Sequence, residues 1–406
     1  MEDSLMDLMT YAMARNYVDR LGGKEHFPIN RSKHYAAASN GVDVDVTYRT
    51  MYQVLDDCFT LQLVYGNFYN DERTSGLSPY TINVTLEKVE FNSPTVRLYP
   101  FTWDGGSSNT KTVALGALAF SDYMSTEFKK EDVFAIRTHV VVGAGQKYPT
   151  GLIALASNGE GMMTGDQTEV AEWTGVMDKN TLSPMAILAT PSNSSFKSVA
   201  LIGDSISIGA GMSNVAIDGR PLIGEVGFMQ IGAMRAGLGY VSLGMNGQRS
   251  DGFINNARRN RMMLAQRCDK AVVEYGTNDL ENGTTLENIK SYLSNIWEAL
   301  HVRGVKQIYQ TTIVPRTTST DNWATTTNQT PTKAATSGGP DSTRTLLNEW
   351  IRSKPSPYLA GIIDIAPATE YGVNTGLWLP NKTPDGIHPN TQTHQAMADI
   401  LADAVR

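Results

Sequence analysis

The hydrophobic period of this chain changes at two places, and the second change limits the fold most. Beyond residue 197, short apolar runs recur at 198–202, 240–243, 271–275, 307–313 and 361–365. Uninterrupted runs of this length suit strands buried on both faces of a parallel sheet. Between the third and fourth runs, Ile289, Tyr292, Leu293, Ile296, Trp297 and Leu300 form one stripe at helical spacing. Parallel neighbours need a crossover rather than a hairpin, so strand and helix must alternate. The pattern predicts a three-layer α/β/α domain with a parallel sheet over 197–406.

Upstream, the period is two. Ile82, Val84 and Leu86 alternate with polar neighbours, as do Phe134, Ile136 and Thr138, and the stretches 44–48 and 59–65 are rich in β-branched and aromatic residues. Turn formers such as Asp104-Gly105-Gly106-Ser107-Ser108-Asn109 separate these strands. Short strands without long helices between them predict an all-β, jelly-roll-like sandwich over 36–190. A polar, Pro- and Ser-containing segment at 189–198 marks the boundary. Residues 1–35 read as a short helix and linker: Met6, Met9, Met13, Tyr17 and Leu21 share a face, and Gly22-Gly23 stops the helix. That single stripe needs a surface, either on its own domain or in an oligomer or tail-like assembly.

Charge and composition exclude several roles. The chain has 34 basic and 41 acidic residues, a net charge of −7, without a long single-sign block, so the basic footprint of a nucleic-acid binder is missing. No apolar run approaches the roughly 18–20 residues of a membrane span. Cys58 and Cys268 cannot form a disulfide framework or a thiolate zinc site, and each reads as a small buried apolar residue. Acidic residues precede the first basic one, the wrong order for a Sec-type leader, which leaves a cytoplasmic, virion-associated or otherwise exported protein as the expectation.

The ends of the proposed strands carry the chemistry. Ligands of open α/β sheets bind outside the carboxyl ends of the strands. After the first run comes Gly203-Asp204-Ser205, with Gly209 and Gly211 following, which predicts a serine on a strand-to-helix turn. After the second stands Gly244-Met245-Asn246-Gly247, where a glycine allows close backbone approach and offers an N–H donor. After the third comes Gly276-Thr277-Asn278-Asp279, and Asn278 can present an amide donor, while Asp279 suits a helix cap. Beyond the fifth run, Asp385-Gly386-Ile387-His388 spaces a carboxylate and an imidazole as an orienter and a base. Each element alone reads as structural rather than catalytic. Together they supply every part of acyl transfer.

Serine, glycine, asparagine and Asp-x-x-His, in that order, resemble the SGNH (GDSL esterase) superfamily over about residues 197–406. The resemblance implies a flavodoxin-like hydrolase domain with Ser205 as nucleophile, His388 as base and Asp385 as its partner. It also implies an oxyanion hole from the Ser205 and Gly244 N–H groups and Asn278, and no metal or cofactor. The chain departs from the family pattern at Ser242 and at Gln248-Arg249-Ser250.

Glu274 lies inside an apolar run, and a buried carboxylate needs a partner, for which Arg249 is the candidate. His26, His34, His139, His301 and His394 show no ligand spacing and read as structural. Residues 316–339, rich in Thr, Ser and Asn around Trp323, read as a long loop, either on the surface or lining the substrate. Trp323 and Asp204 are the candidate substrate contacts.

A polar loop with one aromatic face suits sugars better than lipid, and an N-terminal β-sandwich ahead of such a domain resembles carbohydrate O-acetylesterases. The expected activity is therefore deacetylation of an acetylated oligo- or polysaccharide. A lipolytic esterase or thioesterase, and a non-catalytic glycan-binding tail module, are the alternatives.

Overall fold

Five strands, Ser198–Gly203, Gly239–Ser242, Lys270–Glu274, Gln307–Thr311 and Leu359–Ile363, form one sheet in the spatial order second, first, third, fourth, fifth. The computed structural model describes residues 37–89, 96–212, 227–255 and 259–406. The N-terminal helix expected over residues 1–23 lies outside the described residues. The third strand pairs in parallel with the first and fourth, and the fourth with the fifth. Beside the first strand, Leu243 N–H donates to Leu201 O at 2.8 Å and Met245 N–H to Gly203 O at 2.9 Å, a parallel advance. This order is that of doubly wound flavodoxin-like sheets, whose crevice opens where the winding reverses, beside the first strand.

The first three strands are buried along their length and the fourth beyond Gln307, because helices cover the sheet, while the fifth, at the edge, exposes Ala360. Phe228–Arg235 packs against Thr391–Val405, while Leu286–Val302 packs against Ser250–Asn255 and Thr343–Arg352. In Leu286–Val302 the buried residues are Ile289, Leu293, Ile296, Trp297 and Leu300, the stripe read from the spacing, with Tyr292 at its edge. The last two long helices start at side-chain caps: Ser342 Oγ accepts from Thr345 N–H at 3.1 Å and Asn390 Oδ1 from Thr393 N–H at 3.0 Å.

The chain divides into two compact units, with the main change between Ser198 and Val199. The first is β-rich. Its larger sheet runs Gly161–Thr164, Asp45–Gln53, Val133–Val141, Tyr80–Lys88, Arg97–Pro100, with Thr110–Val113 also on Tyr80–Lys88. The smaller runs Ala186–Pro191, Cys58–Gly66, Leu118–Phe120, with Met124–Phe128 also on Cys58–Gly66. Their inner faces meet: Phe128 of one lies 5.0 Å from Phe134 of the other, ring centre to ring centre. Tyr65 and Thr138 share a hydrogen bond of 2.6 Å across the same core. Ile82, Val84 and Leu86 point into it, as their alternation requires. Cys58 and Cys268 are both buried and free.

A charge cluster interrupts the larger sheet. Glu87 accepts from Arg49 Nη2 at 2.6 Å and from Arg137 Nε at 2.8 Å, and all three side chains are buried. Burial opposes its ionisation, but the two guanidinium groups hold its carboxyl below the usual carboxylate range. Removing one member of such a group leaves uncompensated buried charge. Glu87→Ala should therefore lower the unfolding free energy by about 3–5 kcal/mol, read as a reduced denaturant midpoint.

Candidate active site

Ser205 stands two residues beyond the end of the first strand and is 8% exposed. Among the described residues up to 212 no regular helix follows it, contrary to the expectation of a strand-to-helix turn. Instead a run of turns closes with Ala210 N–H on Ser205 O at 3.0 Å. Gly209 and Gly211 adopt φ of +93° and +90°, values incompatible with a continuing right-handed helix. At Gly211 a Cβ would collide with Pro389 O and lie 2.9 Å from His388 Cβ. Only glycine lets the segment after the serine approach the histidine so closely.

His388 Nε2 lies 2.8 Å from Ser205 Oγ, and its Nδ1 lies 2.6 Å from Asp385 Oδ2. An ionised carboxylate only accepts, so a neutral imidazole carries its proton on Nδ1 and leaves Nε2 to accept from the hydroxyl. The other oxygen of Asp385 accepts N–H groups of Ile387 and His388 at 2.9 and 2.8 Å. Burial alone would raise its pKa, but these bonds and the imidazole hold the carboxyl down to about 2.

The turn bearing this pair is gripped from several sides. Thr383 Oγ1 accepts from Gly386 N–H at 2.8 Å and donates to His388 O at 2.7 Å. Gly386 O accepts from Trp378 Nε1 at 2.9 Å and from Thr317 N–H at 3.0 Å. Gly386 has φ of +79°, and a Cβ there would lie 2.6 Å from Trp323 Cζ2.

Residues 316–339, expected as a loop, instead contain a hairpin of Thr317–Ser319 with Gln329–Pro331 and a short 3₁₀ turn, Ala334–Thr336. Threonine-rich runs suit strands as well as loops, and a polar composition conceals that choice. Asp321 organises the tip: it accepts from Thr325 Oγ1 at 2.6 Å, Asn328 Nδ2 at 3.0 Å and Ser319 Oγ at 2.7 Å. These bonds hold it well below the usual carboxylate range. Trp323 is half-buried, with Nε1 donating to Thr317 Oγ1 at 2.9 Å, so part of its ring is engaged against Gly386.

The three oxyanion candidates differ in their commitments. Ser205 N–H makes no hydrogen bond within the described residues. Gly244 is obligatory, because a Cβ would strike Ser207 Oγ and lie 2.6 Å from Ile208 Cγ2. Asn278 sits in the short helix Thr277–Glu281, its Nδ2 donating to Asp204 Oδ2 at 2.9 Å and Gln248 O at 3.2 Å. Arg316 Nη1 approaches Asn278 Oδ1 at 3.4 Å and pairs with Glu281 at 3.2 Å, which fixes which end of the amide is the donor. An oxyanion at Asn278 would have to replace Gln248 O, the longer of its two bonds.

Two expectations are corrected. Asp204, expected to contact substrate, is fully buried. Its carboxylate is taken up by Ile206 N–H at 2.9 Å and by Asn278, which makes it part of the support under the serine turn. Arg249 pairs with Asp251 at 2.8 Å rather than with Glu274. Glu274 faces Asp204 instead, its Oε2 3.2 Å from Asp204 N. Asp279 caps another helix, accepting from Ser250 N–H at 3.1 Å and from Ser250 Oγ at 2.5 Å. Gln248, which was not singled out as a site residue, joins Asn278, Tyr275 Oη and Arg261 through its backbone and side-chain oxygens. Among the described residues no group of three or more metal-type ligands occurs.

Residues 201–396 match the model of the GDSL-like Lipase/Acylhydrolase family, and this part of the chain is an acylhydrolase domain of that family. No curated protein matches the chain. Among solved structures, a GDSL-like lipase from Bacteroides thetaiotaomicron is similar at 16% identity and a TM-score of 0.35, over 51% of this chain and 87% of that one. A family two carbohydrate esterase from Clostridium thermocellum, in complex with cellohexaose, is similar at 11% identity and a TM-score of 0.37, covering 94% and 97%. A Corynascus thermopiles carbohydrate esterase family 2 enzyme with a carbohydrate binding domain gives 11% and 0.36, covering 93% and 98%.

His394 braces this region from the final helix. Its Nδ1 accepts Phe228 N–H at 3.2 Å and its Nε2 donates to Ala210 O at 3.0 Å. Burial pushes its pKa down to about 4. Between pH 4 and the unfolded value near 6.5 the unfolded chain binds a proton that the folded chain does not, so this residue's contribution grows with pH. The unfolding midpoint should fall as pH drops from about 6.5 to 4, and His394→Gln should flatten that slope in parallel thermal melts.

Proposed function

We propose that the protein is a serine esterase that removes O-acetyl groups from a carbohydrate. The observation that carries the reading is the continuous chain Ser205 Oγ–His388 Nε2 and His388 Nδ1–Asp385, at 2.8 and 2.6 Å. A nucleophile bonded to a base, itself bonded to an orienting carboxylate, is the arrangement that makes a serine hydroxyl reactive.

In the proposed reaction Ser205 Oγ attacks the ester carbonyl as His388 Nε2 takes its proton. Negative charge develops on the carbonyl oxygen, with Ser205 N–H and the Gly244 backbone N–H as donors, and Asn278 Nδ2 after exchange from Gln248 O. His388 then protonates the leaving sugar oxygen, and the acyl chain stays on Ser205. Water, deprotonated by the same imidazole, attacks the acyl carbonyl and releases acetate and free enzyme. Asp385 stays ionised throughout and stabilises the imidazolium.

The sugar assignment rests on the polar character of the hairpin beside the histidine turn. Thr318, Thr320, Asn322, Thr325, Thr327 and Asn328 are exposed, and Trp323 is the large apolar side chain at its tip. Hydroxyls and amides around one aromatic face suit a saccharide better than an acyl chain.

The test compares short-chain and long-chain nitrophenyl esters with acetylated xylose, following acetate release. Acetyl substrates should be preferred and Ser205→Ala should abolish turnover; rates that rise with chain length would favour a lipolytic enzyme, and binding without turnover a non-catalytic module. Asn278→Ala should reduce kcat by about 10²–10³-fold in a folded protein. Trp323→Ala separates two uses of the ring. Loss of its grip on Gly386 lowers kcat on a small nitrophenyl ester, whereas loss of a stacking face raises KM for the sugar substrate alone.

A further inference from the structure

Beneath the serine turn lie two buried carboxyl groups that the proposed reaction leaves unused. Glu274 ends the third strand and is paired in register with Gly203, the residue two before the nucleophile. A Cβ on Gly203 would lie 2.8 Å from Glu274 Oε2, so the glycine makes room for this carboxyl. Glu274 Oε2 accepts from Asp204 N–H at 3.2 Å, which places the two carboxyl groups within reach of each other. Both residues are buried, at 3% and 0% exposure. Among the described residues no cationic side chain pairs with either.

Two carboxylates cannot hydrogen-bond each other unless one of them carries a proton. Removing both from water without a cation makes a double negative charge costly. The surroundings decide which one keeps the proton. Asp204 accepts from Ile206 N–H and from Asn278 Nδ2, bonds that favour its anion. Glu274 has one backbone donor and faces the negative Asp204 and Asp279, so burial, then these charges, push its pKa well up. Tyr275, the residue after it, is itself driven up by burial, against the opposing pull of Arg261.

We propose that Glu274 is a positioning residue that, protonated, donates to the Asp204 carboxylate and thereby sets the Asn278 amide and the backbone of the Ser205 turn. This rests on the serine esterase reading. Asp204 then links three parts of the site: the turn through Ile206 N–H, the oxyanion side chain through Asn278 Nδ2, and the sheet through Glu274. A neutral donor at residue 274 keeps that anion in one orientation. An apolar side chain would leave one lone pair of a buried carboxylate unmatched, and Asp204 would rotate away from Asn278.

The test uses the full chain with Glu274→Gln and Glu274→Leu. Glutamine keeps an N–H donor and cannot ionise, so Glu274→Gln should retain most of kcat on nitrophenyl acetate. Glu274→Leu should fold, as judged by its melting curve, yet lose about 10- to 100-fold in kcat with KM little changed. Infrared spectroscopy at neutral pH should show a protonated-carboxyl C=O band in the wild type that Glu274→Gln lacks. Wild-type kcat in Glu274→Leu, an equal loss in Glu274→Gln, or no difference in the carboxyl band would each overturn the proposal. A wild-type protein that neither turns over acetyl esters nor is labelled at Ser205 by a fluorophosphonate would overturn the esterase reading instead, and the infrared band would still decide the state of Glu274.

Discussion

A single hydrogen bond of 2.8 Å, from Ser205 to His388, closes 183 residues of chain, and the acylhydrolase domain is organised so that it can form. Because the first strand lies inside the sheet, the serine emerges beside the ends of the second and third strands, where Gly244 and Asn278 stand. The histidine arrives from beyond the fifth strand, at the far edge of the sheet, and has no sheet neighbour to hold it. Its position comes from Gly211, which admits close backbone contact, and from Gly386, which is pinned by Thr317, Trp378 and Thr383. Long loop closure costs only slowly growing entropy, but orientation within hydrogen-bonding reach requires a rigid frame. The hairpin at 317–331 belongs to that frame as much as to any substrate surface.

Buried charge is handled in opposite ways in the two halves of the chain. In the β-rich unit Glu87 is ionised between two arginines, each of them buried with it. Beneath the serine, Asp204 and Glu274 lie together without a cation, and one proton does the neutralising that arginine does elsewhere. A guanidinium beside the nucleophile would also polarise the reacting centre, whereas a neutral carboxyl is a donor without net charge. Arg316 reaches Asn278, but its charge is matched by Glu281.

Much of this was legible in the amino-acid pattern. The uniform apolar runs gave the strands of the parallel sheet to within two residues at most ends, because a strand buried on both faces admits few polar residues. The stripe from Ile289 to Leu300 marked its helix because one face only meets the sheet. Ser205, Asp385 and His388 were named from their order and lie in one hydrogen-bonded chain. The hairpin around Trp323 was not legible, since its strands are three residues long and polar, and the bonds that anchor it run to Gly386 and Trp378 outside the segment. The turns after Ser205 do not show in the sequence, because the positive φ of Gly209 and Gly211 is a property of the folded backbone.

The order of apolar runs and of chemically active residues was set by the sequence alone, since burial periodicity and residue type are local properties. Which partner the Glu274 carboxyl meets was decided only in three dimensions. Arg249 and Glu274 are opposite in charge, yet Arg249 turns to Asp251 and Glu274 to Asp204. Strand register brought Glu274 beside Gly203, and register is a property of the paired sheet that neither strand carries by itself.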